Sequence, residues 1–146
     1  MFYFFVQRLV VIFVLCALVF CSIDSVFALE GTQRVEIQNS RLLNSFGGAL
    51  SQNINTNSQV QISSDVLNKQ TSTQSFVYIV QITDESGVIQ KITWISASLN
   101  ANQKLAPAIS WIPTKPGTYT AQIYVWDSIK DANALAVKTE LKIIVS

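Results

Sequence analysis

Histidine is absent from the 146 residues, which narrows the chemistry open to this chain. The commonest general base and metal ligand is missing, and with it the Ser-His and Cys-His nucleophile pairs. Neither a G-x-S-x-G elbow nor a phosphate-cradling glycine loop occurs. Blue-copper electron transfer needs His and Cys together, and both cysteines, Cys16 and Cys21, lie in an apolar N-terminal run. Ser and Lys are plentiful, but no spacing singles out a dyad, and no carboxylate pair stands out as a glycosidase site. Asp127 and Asp131 share one loop, and Asp65 precedes another expected at the same end of the fold. Together they are the residues from which a calcium site could be built; the plainer reading is solvated turn carboxylates. No catalytic residue, cofactor or metal ligand is therefore assigned.

Aromatic side chains give the sharper candidates. In the run Tyr119 to Trp126, Tyr119, Ala121, Ile123 and Val125 alternate with Thr120, Gln122, Tyr124 and Trp126. Tyr124 and Trp126 therefore face away from the apolar set. Trp94 sits near the end of the expected strand Val88 to Ile95. If the three meet on an exposed sheet face, they form a platform for sugar rings or the apolar centre of a protein interface. The alternative is that long side chains or a loop cover them. Trp94, Tyr124 and Trp126, with Asp127 in the adjoining loop, are the candidate interaction surface, and Trp111 reads as core.

Strands must position these residues, because beyond residue 28 period-two alternation recurs and no long stretch keeps a helical spacing. Val35 and Ile37 begin a first strand, resuming at Leu42 and Leu43. Val60 to Leu67 gives a second. Phe76, Tyr78, Val80 and Ile82 share one face of a third, with Val77 and Ile79 apolar on the other, the pattern of a strand covered on both sides. Asp84 to Gly87 supplies turn residues, and Val88 to Ile95 returns as the fourth strand of a hairpin. After the turn Asn100 to Asn102, Leu105 to Ile112 is a fifth, with Pro107 marking an edge or bulge. Tyr119 to Trp126 is the sixth, and Val137 to Val145 closes the fold. Between the fifth and the sixth, Trp111 to Thr120 reads W-I-P-T-K-P-G-T-Y-T: Pro116 sets φ, Gly117 permits the turn, and Tyr119 opens a strand with its hydroxyl free to bond backbone upstream. Pro116, Gly117 and Tyr119 are thus a structural corner. The expected fold is all-β, a seven-stranded antiparallel immunoglobulin-like β-sandwich after an N-terminal signal helix.

Residues 1–28 read as that signal: Arg8, an apolar run from Leu9 to Cys21 of about a dozen residues where a membrane span needs about 20, and Val26-Phe27-Ala28 as a cleavage site. Retention as a membrane anchor is the alternative. Residues 29–58 then read as an N-terminal strand and polar linker, and 59–146 as the sandwich, its first strand taken from 35–43. Residues 29–146 hold no cysteine, so stability rests on packing and strand pairing. A net charge of +1 offers no field for phosphates, so nucleic acid is not an expected partner. The expected place is outside the cell or at its surface, with contact to the membrane only through an uncleaved leader. The segment Glu30 to Ser40 either completes its own sandwich or pairs with an open edge of another copy.

The segments F-V-Y-I-V-Q-I-T-D-E-S-G-V (76–88) and S-W-I-P-T-K-P-G-T-Y-T-A-Q-I-Y-V-W-D (110–127), with the terminal L-K-I-I-V, resemble the immunoglobulin-like and fibronectin-III-like modules of archaeal cell-surface and secreted proteins. The likeness is close to the adhesion-type domains of the CARDB group and covers about Gln59 to Val145. It implies a noncatalytic module for binding, adhesion or assembly at the cell surface, whose partners are other surface proteins or glycans. A structural subunit of an extracellular filament or surface layer, which self-assembles, is the alternative. A carbohydrate-binding module is a second.

Overall fold

Ten strands order the chain in the computed structural model, which describes residues 29–146; the expected signal helix lies outside them. They are β1 (Val35–Leu43), β2 (Ala49–Leu50), β3 (Asn53–Ile54), β4 (Val60–Asn68), β5 (Gln74–Asp84), β6 (Ile89–Leu99), β7 (Lys104–Leu105), β8 (Ala108–Trp111), β9 (Gly117–Trp126) and β10 (Thr139–Val145). One sheet runs β2-β1-β4-β7, with β8 also paired to β4; the other runs β3-β10-β9-β5-β6. All pairings are antiparallel except β3 with β10.

The count of ten corrects the expected seven, and the difference has two causes. The expected fifth strand is split at Ala106-Pro107, because proline cannot donate to a ladder, so β7 and β8 pair separately with β4. The two-residue strands β2 and β3 come from a polar stretch too short to show periodicity. They sit on the outer edges of β1 and β10.

The core is built from the alternations. Phe76, Tyr78, Val80 and Ile82 of β5 and Tyr119, Ala121, Ile123 and Val125 of β9 are all buried, as are Val60, Ile62 and Val66 of β4 on the facing sheet. Val77 and Ile79 are buried too, on the opposite face of β5, as a strand covered on both sides requires. β1 pairs with β4 inside the same chain, so the N-terminal segment completes its own sandwich. A bulge at Asn39, with φ of 49°, interrupts that pairing. Next to it, Ser40 Oγ lies 2.8 Å from Ser64 Oγ, which lies 3.2 Å from the Tyr78 hydroxyl in the core. Burial pushes the Tyr78 hydroxyl pKa up to about 12.

Asn68 is fully buried and ties two connections together. Its amide donates to the carbonyls of Ser72 at 2.8 Å and Asn100 at 2.9 Å, and its Oδ1 accepts the Gln70 N–H at 3.0 Å. The closing strand begins at Thr139, later than expected: Val137 is exposed, while Leu135, in the loop before it, is fully buried. Among the described residues, no helix is long and apolar enough to cross a membrane.

Candidate functional site

The pairing register decides which outward side chains meet. Trp94 of β6 lies opposite Ile79 of β5, which lies opposite Tyr124 of β9; in the next row Ser96, Val77 and Trp126 align the same way. Cross-strand partners share a face, so Trp94, Tyr124 and Trp126 stand together on the outer face of the β3-β10-β9-β5-β6 sheet. The Tyr124 and Trp126 rings are 6.0 Å apart, tilted at 59°. Val77 and Ile79 are buried although they point away from the core, because these rings flank them. Trp94 is 50% exposed, whereas Tyr124 and Trp126 are half-buried.

A row of polar groups borders the aromatics. Tyr124 Oη donates to Gln122 Oε1 at 3.0 Å, Gln81 donates to the same oxygen at 3.2 Å, and Gln122 donates to Glu140 at 2.9 Å. Lys138 pairs with Glu140 at 2.8 Å and, with Gln122, holds that carboxyl below its usual range. Towards β6 the face becomes wholly uncharged: β5 presents Ser75, Val77, Ile79, Gln81 and Thr83, and β6 presents Ile92, Trp94, Ser96 and Ser98.

The acidic candidates separate. Asp65 lies within β4, on the outer face of the other sheet, where Asn39 donates to it at 2.9 Å, Arg41 pairs with it at 2.9 Å and Lys104 stands at 3.8 Å. Asn39 first, then Arg41, lower its pKa. Asp127 organises its own loop: Oδ1 accepts the N–H groups of Ser128 and Asn133, and Oδ2 accepts the Asn133 side chain at 2.8 Å. These bonds, Asn133 foremost, lower its pKa. Asp131 accepts from Ser128 Oγ at 3.1 Å. Among the described residues, no three His, Cys, Asp or Glu side chains gather as a metal site. Asp127 thus borders the aromatic surface by shaping the loop after Trp126, with its carboxylate committed to the backbone of Ser128 and Asn133 and to the Asn133 side chain.

The corner residues sit apart from this surface. Tyr119 Oη donates to the Lys115 carbonyl at 3.0 Å, and its ring meets Trp111 edge-on, with centroids 5.0 Å apart at 68°. Gly117 holds φ at 149°, and Pro116 precedes it. Beside the corner a cleft of about 490 Å³ opens between the sheets, lined by Gln59, Lys91, Trp111, Lys115 and Tyr119 among others. Sequence reasoning missed this cleft and the exposed apolar side chains Ile89, Ile92 and Ile95 of β6. The available signal was the run I-Q-K-I-T-W-I-S-A-S-L, which holds one charge and no proline.

A family model described as S-layer A-like matches residues 15–131. The chain belongs to the S-layer A-like family. None of the curated proteins compared with this family member matches it. Among solved structures, the S-layer A-like chain is similar to the C-terminal domain of Wzt, with a TM-score of 0.65 and 12% identity over 80% of this chain and 76% of that one. It is similar to the CARDB domain of a Pyrococcus furiosus protein, solved with two metal ions, at a TM-score of 0.53 and 15% identity over 82% and 95% of the two chains. A Paenibacillus cycloisomaltooligosaccharide glucanotransferase also contains a similar domain, at a TM-score of 0.60 and 16% identity, but the match covers only 14% of that enzyme. At these identities the likeness is one of fold. The chain has an immunoglobulin-like sandwich fold similar to that of the CARDB domain, in a surface-associated family.

Proposed function

We propose that this S-layer A-like chain is a noncatalytic structural module of an extracellular surface layer, acting by protein–protein assembly. The observation that carries the reading is the aromatic face: Trp94, Tyr124 and Trp126 brought into two adjacent rows over Ile79 and Val77, uncharged towards β6 and bordered by a polar row on β9 and β10. An apolar centre with a polar rim is the anatomy of a protein interface. The acidic candidates Asp65, Asp127 and Asp131 are each hydrogen-bonded to neighbours within the chain, so none of them stands free as a catalytic acid or base. Membership of the family favours assembly at the surface over a soluble ligand. Sedimentation of the full chain over a concentration series tests this: oligomers should form and be lost in Trp94→Ala/Trp126→Ala. A wild-type chain that stays monomeric throughout overturns it.

Carbohydrate recognition is a second reading, favoured by the half-exposed indole of Trp94. It predicts a tryptophan fluorescence change on titration with surface glycans, lost in Trp94→Ala, with no effect on oligomer size.

A further inference from the structure

β6 ends its sheet, so among the described residues one whole side of its backbone has no partner strand. Open edges invite pairing with another chain, and proteins guard them with short strands, proline, bulges or lysines. The other edges here are guarded in that way. β2, β3 and β7 are two residues long, β8 is four, and prolines at 107 and 113 flank it. β6 is eleven residues long, lacks proline and carries one charge, Lys91. It is also apolar on both faces: Ile92 and Trp94 are half-exposed on the outer one, and Ile95 is 39% exposed on the inner one.

We propose that this edge pairs antiparallel with β6 of a second copy, in the register that sets Trp94 opposite Trp94. A bulge beside Gln90 ends the regular ladder at one end of β6, and Lys91 to Leu99 runs regularly beyond it; Trp94, the largest exposed side chain on this edge, sets the axis. A two-fold axis there places Ile92 opposite Ser96, Thr93 opposite Ile95 and Lys91 opposite Ala97. Like charges never face each other, because the two Lys91 side chains stand six positions apart, about 20 Å along the strand. That distance exceeds the screening length at physiological salt, about 8 Å. Shifting the axis to Lys91 would put the two cations opposite each other. The centred register buries Ile95 against the partner's Thr93 and pairs the two Trp94 indoles, a favourable cross-strand contact. It also joins the two uncharged half-faces into one surface across both copies, flanked on each side by Tyr124 and Trp126. The inference deepens the assembly reading and rests on it.

The test uses the full chain with Cys16→Ser and Cys21→Ser, so that introduced thiols are the only ones present. Chains carrying Ile92→Cys are mixed with chains carrying Ser96→Cys under oxidising conditions. Directly opposed antiparallel residues have Cα atoms about 4.5–5.5 Å apart, within disulfide reach. The mixture should therefore give a cross-linked dimer. Either variant alone should show no such band, since the partner's identical residue is four positions away, about 13 Å. A mixture without cross-links, or cross-links in one variant alone, overturns the register. Independently, Trp94→Lys and Trp94→Glu chains should each lose the dimer and regain it on mixing; a Trp94→Lys chain that still dimerises overturns the proposal. Electron microscopy of the same preparations separates the two levels. Ordered assemblies without the cross-link leave the surface-layer reading standing and remove β6 pairing, whereas monomers under all conditions remove both.

Discussion

Replacing Tyr119 with Phe removes one oxygen from the corner and nothing else. The lost contact is a neutral hydrogen bond from the hydroxyl to the Lys115 carbonyl, 3.0 Å long and part-buried. A bond of this kind contributes about 1 kcal/mol net, because folding exchanges it for bonds to water. The larger penalty of leaving a carbonyl dry does not apply, since Lys115 lies in the exposed loop, where water takes the vacated place. The ring stays, and with it the edge contact to Trp111. For a domain of this size, 1 kcal/mol lowers the melting midpoint by about 3–5 °C. Tyr119→Ala, which also empties the ring's place in the core, should cost about 3–5 kcal/mol. Thermal melts followed by circular dichroism, paired with urea titrations to check that the m-value holds, measure both. A Tyr119→Phe midpoint equal to or above that of the wild type would show that the ladder from Gly117 to Val145 holds the corner unaided. The hydroxyl would then have no structural role.

Tyr78 and Ser63 give two further expectations. Tyr78 ionises near pH 10 when unfolded and near 12 when folded. Its contribution is therefore complete below pH 10 and is lost as pH rises towards 12, a fall of up to about 3 kcal/mol that urea titrations across this range should record and Tyr78→Phe should abolish. Ser63 Oγ is buried with no hydrogen-bond partner among the described residues. Ser63→Ala should accordingly raise stability by about 0.5–1 kcal/mol, and a loss of that size in the same titration would refute it.

What the sequence carried, and what it did not, follows from how local each signal is. The two-sided alternation of β5 was readable because six apolar residues, Phe76 to Val80 and Ile82, record the environment of both faces within one strand. The corner was readable because Pro116 and Gly117 encode backbone angles directly. The β7–β8 break was half-readable: Pro107 announced an interruption, but only pairing with β4 shows that both halves remain strands. Leu135 illustrates the opposite case, a residue in an aperiodic loop whose burial comes entirely from the body it folds over. Asp65 was misplaced for a similar reason. Read as standing just before a loop at the Asp127 end, it lies three residues inside the end of β4, which delivers its carboxylate to Arg41 on the outer face of the other sheet. The aromatic surface was legible in part. Alternation assigned Tyr124 and Trp126 to one face, but bringing Trp94 beside them needed the order β9-β5-β6, which no local pattern encodes.

The two outer faces of the sandwich differ in a way that bears on how such a module meets its neighbours. The β2-β1-β4-β7 face carries the Arg41–Asp65–Lys104 cluster, and Glu36 stands 3.7 Å from Lys69. Surface pairs such as Lys69–Glu36 add little stability, commonly below about 1 kcal/mol, but the charges keep the face hydrated. The β5–β6 half of the opposite face has no charge to hydrate it. Burying that half desolvates Trp94, Ile92 and a few hydroxyls, whereas burying the charged face would strip water from at least five ionised groups. Contact between copies is therefore cheaper through the sheet that ends in β6, because one outer side of the sandwich desolvates at little cost and the other stays wet.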